Sequence, residues 1–277
     1  MGVSPMGARL ADLPGIAMTD DLPPDLRARA LEFQRELDDS LATRVESQPW
    51  GAAIFRDDLP RAVDLNLLRI EPGGSALDAA ALMAEADTIQ AGLPHRAVRV
   101  LEAAAAARLA PDFGAAGWLL RRTALMVQRR MRDRPVDSSA VQELGLHEIH
   151  AARQATVRRE HRDIDTGADV LAAGELESDG AGPRAFAAVA GSEVAAYCML
   201  RVKGDVAKLT EAEALARSSG RGVGRAVIAE AVLAARGEGA KLVFVEAEDE
   251  DWAKWTYHRM GFDEAGKLYL FVRPWGD

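Results

Sequence analysis

The organisation of this chain turns on SSGRGVGRAVIAEAV, residues 218–232. Gly220, Gly222 and Gly224 alternate, Arg221 and Arg225 sit among them, and an almost unbroken apolar run follows. Glycine weakens regular structure, so three of them before a helix need a reason. The segment before them, VAKLTEAEAL, reads as a strand. The run after them reads as a helix over 225–236, which Gly237 stops. A glycine loop between strand and helix leaves its backbone N–H groups converging at a positive helix N-terminus, a site for phosphate. A plain turn needs one glycine rather than three. The dinucleotide fingerprint G-x-G-x-x-G fails, because its third glycine falls on Arg225 or Val227. No Lys-Ser or Lys-Thr follows, so the P-loop pattern fails as well. The anion is thus neither NAD nor ATP by these patterns.

Outward from this loop the chain reads as alternating elements. Towards the C-terminus come a buried-type strand, KLVFVEA, a helix, DEDWAKWTYHRM, ended by Gly261, and a last strand, KLYLFVR. Towards the N-terminus, AFAAVAG, EVAAYCMLRV and VAKLTEAEAL form a three-strand meander, with turns at Gly191-Ser192 and Lys203-Gly204-Asp205. Two helical segments, 146–162 and 166–176, precede it. A polar stretch with Pro135, MRDRPVDSSA, marks a domain boundary.

The first half reads as a helix over 25–46, strands in GAAIFRD and AVDLNLLRI, and a helix entered at Ser75 and Asp78 by a capping-box pattern and stopped at Gly92. The strand HRAVRVL, a short helix and the strand LLRRTALMVQRR close it. Gly73-Gly74-Ser75 reads as a helix cap rather than a second phosphate loop. Residues 1–22 read as a loose arm. The division expected is a first unit over 23–132 and a second over 138–277.

One internal echo stands out. Gly117-Trp118 through Leu125-Met126-Val127-Gln128-Arg129 matches Gly261-Phe262 through Tyr269-Leu270-Phe271-Val272-Arg273, with equal spacing from glycine to final arginine. Two αβ units that end alike point to a duplication.

The bulk numbers agree with a globular protein. The 277 residues are 48% hydrophobic and 28% charged. No apolar run approaches the roughly 18 residues of a membrane span. The first residues lack a charged-then-apolar signal pattern, and position 6 is Met6, which breaks the myristoylation pattern. Cys198 is the single cysteine, so no internal disulfide forms and a reducing cytoplasm is expected. The net charge of −9 argues against nucleic acid as partner and leaves room for a cationic substrate. His147-Glu148-Ile149-His150 has its second histidine one position too early for H-E-x-x-H, so no metal is expected.

The loop Ser219-Gly220-Arg221-Gly222-Val223-Gly224, together with the helix ending Tyr257-His258-Arg259-Met260-Gly261-Phe262, resembles the GNAT acyltransferase superfamily. That family's loop is Gln/Arg-x-x-Gly-x-Gly/Ala, and Ser219 departs from its first position. The resemblance covers about residues 138–277, while the first half resembles the degenerate partner unit of tandem members. It implies a mixed central sheet flanked by helices, built from two related αβ units. It implies acetyl-coenzyme A as co-substrate, held by Ala212, Ala214 and Leu215 on the strand, by Ser219, Gly220, Arg221 and Gly222 in the loop, and by Val223, Gly224, Arg225 and Ala226 at the helix start.

The resemblance further implies direct attack of a primary amine on the thioester, without an acyl-enzyme. Tyr257 is the expected acid for the departing thiolate. Glu211 and Glu213, two apart on one strand face, are the candidate bases. The acids of 246–251 either cap the next helix or attract a cationic amine. Trp252 and Trp255 either pack in the core or wall that channel. The acceptor is left open between a small molecule and a peptide amine. A non-catalytic acyl-coenzyme A sensor is the alternative, and O- or S-acyl transfer also fits.

Overall fold

The computed structural model describes residues 25–73, 78–178, 182–215, 222–249 and 252–274. The loose arm expected over 1–22 lies outside them, as does Ser75.

The first helix, α1 (Leu26–Leu41), buries Ala30, Phe33, Leu37 and Leu41 along one stripe. It ends sooner than its sequence implied. Ala42 turns to extended backbone, and Arg44–Gln48 forms strand β1, which pairs antiparallel with β2 (Gly51–Phe55). The expected strand AVDLNLLRI shortens to β3 (Leu67–Ile70), after a single 3-10 turn at Val63–Leu65. Buried Asn66 enforces the turn: its amide donates to the carbonyls of Leu59 and Ala62 and accepts from the Arg56 N–H.

Helix α2 (Ala79–Ile89), β4 (His95–Val100), α3 (Ala103–Ala115) and β5 (Leu119–Gln128) complete the first half. The N-cap of α2 is Asp78 itself rather than Ser75. In the second half, β6 (Val141–Leu144), α4 (Leu146–Glu160) and α5 (Ile164–Glu175) lead into the meander β7 (Arg184–Ala190), β8 (Glu193–Lys203) and β9 (Val206–Ala214). Helix α6 (Val223–Gly237), β10 (Leu242–Glu248), α7 (Trp252–Arg259) and β11 (Phe262–Pro274) follow.

All eleven strands join one mixed sheet in the order β1-β2-β3-β4-β11-β5-β10-β9-β8-β7-β6. Only β3 with β4 and β9 with β10 run parallel. The centre holds an exchange. β4 lies beside β11 rather than β5, and β10 lies beside β5 rather than β11. Each half thus donates its final strand to the other, and the two donated strands pair antiparallel, Phe262 opposite Gln128 and Val272 opposite Leu119. The echo in the sequence coincides with this exchanged pair. Both units run strand, helix, glycine at positive φ, strand, with Gly117 at φ +79 and Gly261 at φ +90. At Gly261 the space is also closed: an added Cβ would lie 2.0 Å from the Arg130 carbonyl oxygen.

The sheet separates two layers. Against one face, α6 packs Val227, Ala231 and Ala235 onto Ala207, Leu209 and Val243. Farther along that face Phe113 of α3 meets Phe271, their rings 4.5 Å apart. Against the other face, Phe33 of α1 meets Phe244 of β10 edge to face at 5.5 Å. Burying one such ring contributes about 1.5–3 kcal/mol. Cys198 is wholly buried in β8, and that burial pushes its thiol pKa up, so it stays a neutral core residue.

Candidate functional site

The site grows from the point where β9 and β10 part. Their parallel pairing runs from Val206–Leu242 to Leu209–Val245 and stops. Beyond it β9 continues with β8, to Ala214 opposite Ala196, while β10 continues with β5, to Glu248 opposite Thr123. A cleft opens between the diverging ends. A bulge in β9 shapes its wall: Met199 faces Thr210 and Tyr197 faces Glu213, so two residues of β9 span the gap that one of β8 fills. Glu211 sits in that bulge at φ +47, a conformation that non-glycine residues rarely hold.

Buried Arg153 of α4 holds the bulge in place. Its Nε donates to Glu211 Oε2 at 2.7 Å and its Nη2 to Glu211 Oε1 at 2.8 Å, a bidentate pair. A third donor of Arg153 bonds Glu175. The bulge also swings Glu211 to the α4 side, where Glu213 pairs with Arg159 at 3.1 Å. The two carboxylates do share a face, but each already meets an arginine. Ala212 and Ala214 pack instead towards α6.

Of the expected loop, Ser219, Gly220 and Arg221 lie outside the described residues, and Leu215, just after β9, donates its N–H to the Ala195 carbonyl. Gly222 is the N-cap of α6, at φ +83, and among the described residues no side chain caps this helix. Its carbonyl accepts from Ala226 N–H at 3.1 Å, so the helix starts at Val223, two residues earlier than expected. Gly222 is a glycine for its dihedral. Gly224 has a different reason, because a Cβ there would only touch Ala214 Cβ at 3.4 Å.

Beside this N-terminus is a cavity of 290 Å³ lined by Asp133, Arg134, Val136, Arg225, Arg259 and Met260. Three arginines therefore line one space. Among the described residues none of the three forms an ion pair, although the chain carries a net charge of −9. Asp133 turns towards Arg130 at 3.8 Å. Among the described residues, then, the start of α6 carries no side-chain cap and stands beside three arginines that form no ion pair. Arg134 and Arg259 were not among the expected residues: they come from the interdomain stretch and the end of α7, far from the glycines in sequence.

Tyr257 lies on α7 with its ring 5.7 Å from Phe262 and is largely buried, while adjacent His258 points outward to Arg130 and Asp263. Trp255 is 72% exposed, which overturns its reading as a core residue: α7 is short and packs through Tyr257 and Met260 instead. The acids of β10 also part company. Glu246 pairs with Lys208 at 2.9 Å, and Asp249 accepts from Lys254 at 2.9 Å and Lys267 at 2.5 Å, which hold its carboxyl below the usual range. Glu250 and Asp251 lie outside the described residues. Among the described residues no group of three or more histidine, cysteine or acidic side chains is placed to hold a metal ion. No helix among them is long and apolar enough to cross a membrane.

An α/β protein with one mixed sheet, a parallel pair splayed at its end and a glycine-led helix beside the splay defines a fold class. Solved structures share it. A GCN5-related N-acetyltransferase from Kribbella flavida matches with a TM-score of 0.59 at 13% identity, over 92% of this chain and 97% of that one. A functionally unknown conserved protein from Staphylococcus epidermidis matches with a TM-score of 0.60 at 13% identity, over 84% and 94%. The fold is that of the GNAT N-acetyltransferases. No family model and no curated protein matches the sequence.

Proposed function

We propose that the chain is an acyl-coenzyme A-dependent N-acyltransferase that moves an acetyl group to a primary amine by direct attack. The observation that carries this reading is the N-terminus of α6, which no described side chain caps, beside the cavity lined by three arginines. A diphosphate fits it chemically: N–H groups of the first turn donate to its oxygens, and Arg134, Arg225 and Arg259 neutralise its charge. Ala212 and Ala214, small side chains on the cleft wall, leave room for an extended arm along β9. Acetyl-coenzyme A bound there supplies a thioester carbonyl in the cleft.

The amine nitrogen attacks the carbonyl carbon, the C–N bond forms and the C–S bond breaks. The nitrogen's proton passes to a base, and Tyr257 donates its phenolic proton to the thiolate. Glu211 has both oxygens engaged by Arg153 and acts as a positioning residue for the bulge. We assign proton acceptance to Glu213, half-buried at the end of β9, where Arg159 meets one of its oxygens and not both as Arg153 does for Glu211. Cys198, buried and neutral, takes no acyl group. The two units over 23–132 and 138–277 act as one body, since each completes the other's sheet.

The test is release of free thiol from acetyl-coenzyme A with a panel of primary amines. Amine-dependent release supports acyl transfer. Binding of acetyl-coenzyme A without release under any amine would instead identify a sensor.

A further inference from the structure

A second cavity, of 280 Å³, lies on the opposite face of the sheet, between α1 and strands of both halves. Its wall is unusual in carrying buried charge: Asp38 of α1 is 2% exposed, Arg99 of β4 is 7% exposed and Lys208 of β9 is 7% exposed. These groups pair tightly. Asp38 accepts from Arg99 at 2.7 Å, and Lys208 donates to Glu246 at 2.9 Å. Burying ion pairs is expensive and seldom gains stability over apolar packing, so a charged wall around an open space points to a ligand. Leu37, Leu268 and Leu270 give the cavity an apolar side.

The position matters as much as the wall. Lys208 and Glu246 flank Leu209 and Val245, the last pair before β9 and β10 part. The cavity therefore abuts the root of the cleft, across the sheet from α6. At its outer end two charges are loosely held. Glu248 forms no ion pair among the described residues, and Arg121 meets Asp64 at 3.5 Å. Glu248 stands opposite Thr123 on β5, and Arg121 follows two residues along on the same face. Their backbones are thus about 7 Å apart, a gap that the two side chains narrow.

We propose that this cavity is the acceptor site and that it takes a small aliphatic amine which also carries a carboxylate, of the α-amino acid class. The ammonium lies against Glu248 and Glu246, the carboxylate against Arg121, and the side chain along the leucines. A plain polyamine would leave Arg121 with only its long 3.5 Å contact to Asp64, whereas a carboxylate gives it a second, closer anion. This assignment rests on the acyl-transfer reading for its chemistry, and its binding test is independent of it.

The experiment is a calorimetric titration of the full chain, without acyl donor, by the twenty standard α-amino acids and by the amines formed when each loses its carboxylate. At least one amino acid is expected to bind ten-fold or more tightly than its matched amine. Arg121→Gln removes that preference, and Glu248→Gln weakens both members of the pair about ten-fold. Both side chains sit at the cavity mouth, so neither change should disturb folding, which thermal unfolding checks. Matched amines binding as tightly as the amino acids, no binding by any amino acid, or a preference untouched by Arg121→Gln overturns the proposal. Acetyl-coenzyme A titrated into the same samples separates the two failures. Cofactor binding without amino-acid binding keeps acyl transfer and removes this acceptor, and the reverse outcome does the opposite.

Discussion

Two helices in this molecule follow the first strand of a parallel pair, and their N-termini are finished in opposite ways. In the first half, β3 leads to α2, whose N-cap Asp78 turns its carboxylate onto the Ala81 N–H at 2.7 Å. In the second half, β9 leads to α6, whose N-cap Gly222 has no side chain to offer. Around α2 the free end is already satisfied by the protein's own anion. Around α6 three arginines line a cavity. The two αβ units share an architecture, and on the proposed reading only the second leaves its helix end for an anion. The rest of the first half serves the sheet, through β5, and the second cavity, through α1, Arg99 and Arg121.

This contrast can be attacked directly. The largest effect is expected from Gly222→Asp, which gives α6 the cap that α2 has. Aspartate tolerates the left-handed conformation better than most residues, so the fold should persist. Affinity for acetyl-coenzyme A should fall at least a hundred-fold by calorimetry, because a fixed carboxylate would occupy the phosphate's place. Next comes the chemistry: Tyr257→Phe should lower kcat between ten- and a hundred-fold while KM for acetyl-coenzyme A stays unchanged, as loss of a general acid requires. An unchanged kcat in steady-state assays would remove Tyr257 from the mechanism.

Smaller effects sharpen the picture. Arg225→Ala, Arg259→Ala and Arg134→Ala should each cost about 1–2 kcal/mol of cofactor affinity, equivalent to roughly five- to thirty-fold. The loss should shrink as salt rises, because these contacts are partly exposed. The smallest effect belongs to the first half. Asp78→Ala should lower stability by about 1 kcal/mol in urea unfolding and leave cofactor affinity untouched. If it weakened cofactor binding instead, the two helix ends would not differ as described.

Stability should also respond to acid through Asp249. Lys254 and Lys267 depress its carboxyl below the ordinary carboxylate range. A depressed acid contributes stability above its unfolded pKa of about 3.9 and loses it as pH falls through the lower folded value. Asp249→Asn should therefore flatten the acid limb of the unfolding profile below about pH 4.

How much of this the sequence disclosed depended on where each element sits. Helix α6, the meander and the buried strands β4 and β10 were legible because apolar patterning and turn residues mark them. Both strands that it concealed, β1 and β6, are the edges of the sheet. Edge strands bury little, so RVESQ carries no apolar alternation and reads as the tail of a helix. The strand exchange was hidden for a different reason: β5 and β11 end alike, so the pattern does not say which neighbour each one takes. At the site, the glycines announced themselves through spacing. Arg134 and Arg259 did not, because their convergence on α6 comes from the path of the chain. The bulge at Glu211 was likewise silent, since nothing local predicts a positive φ at a glutamate.

The most direct measurement is a calorimetric titration of acetyl-coenzyme A into the full chain and into its Gly222→Asp variant, at two salt concentrations. The bare helix end predicts saturable one-site binding to the full chain, weaker at high salt and lost in the variant. No binding to the full chain, or equal binding to both proteins, would contradict it.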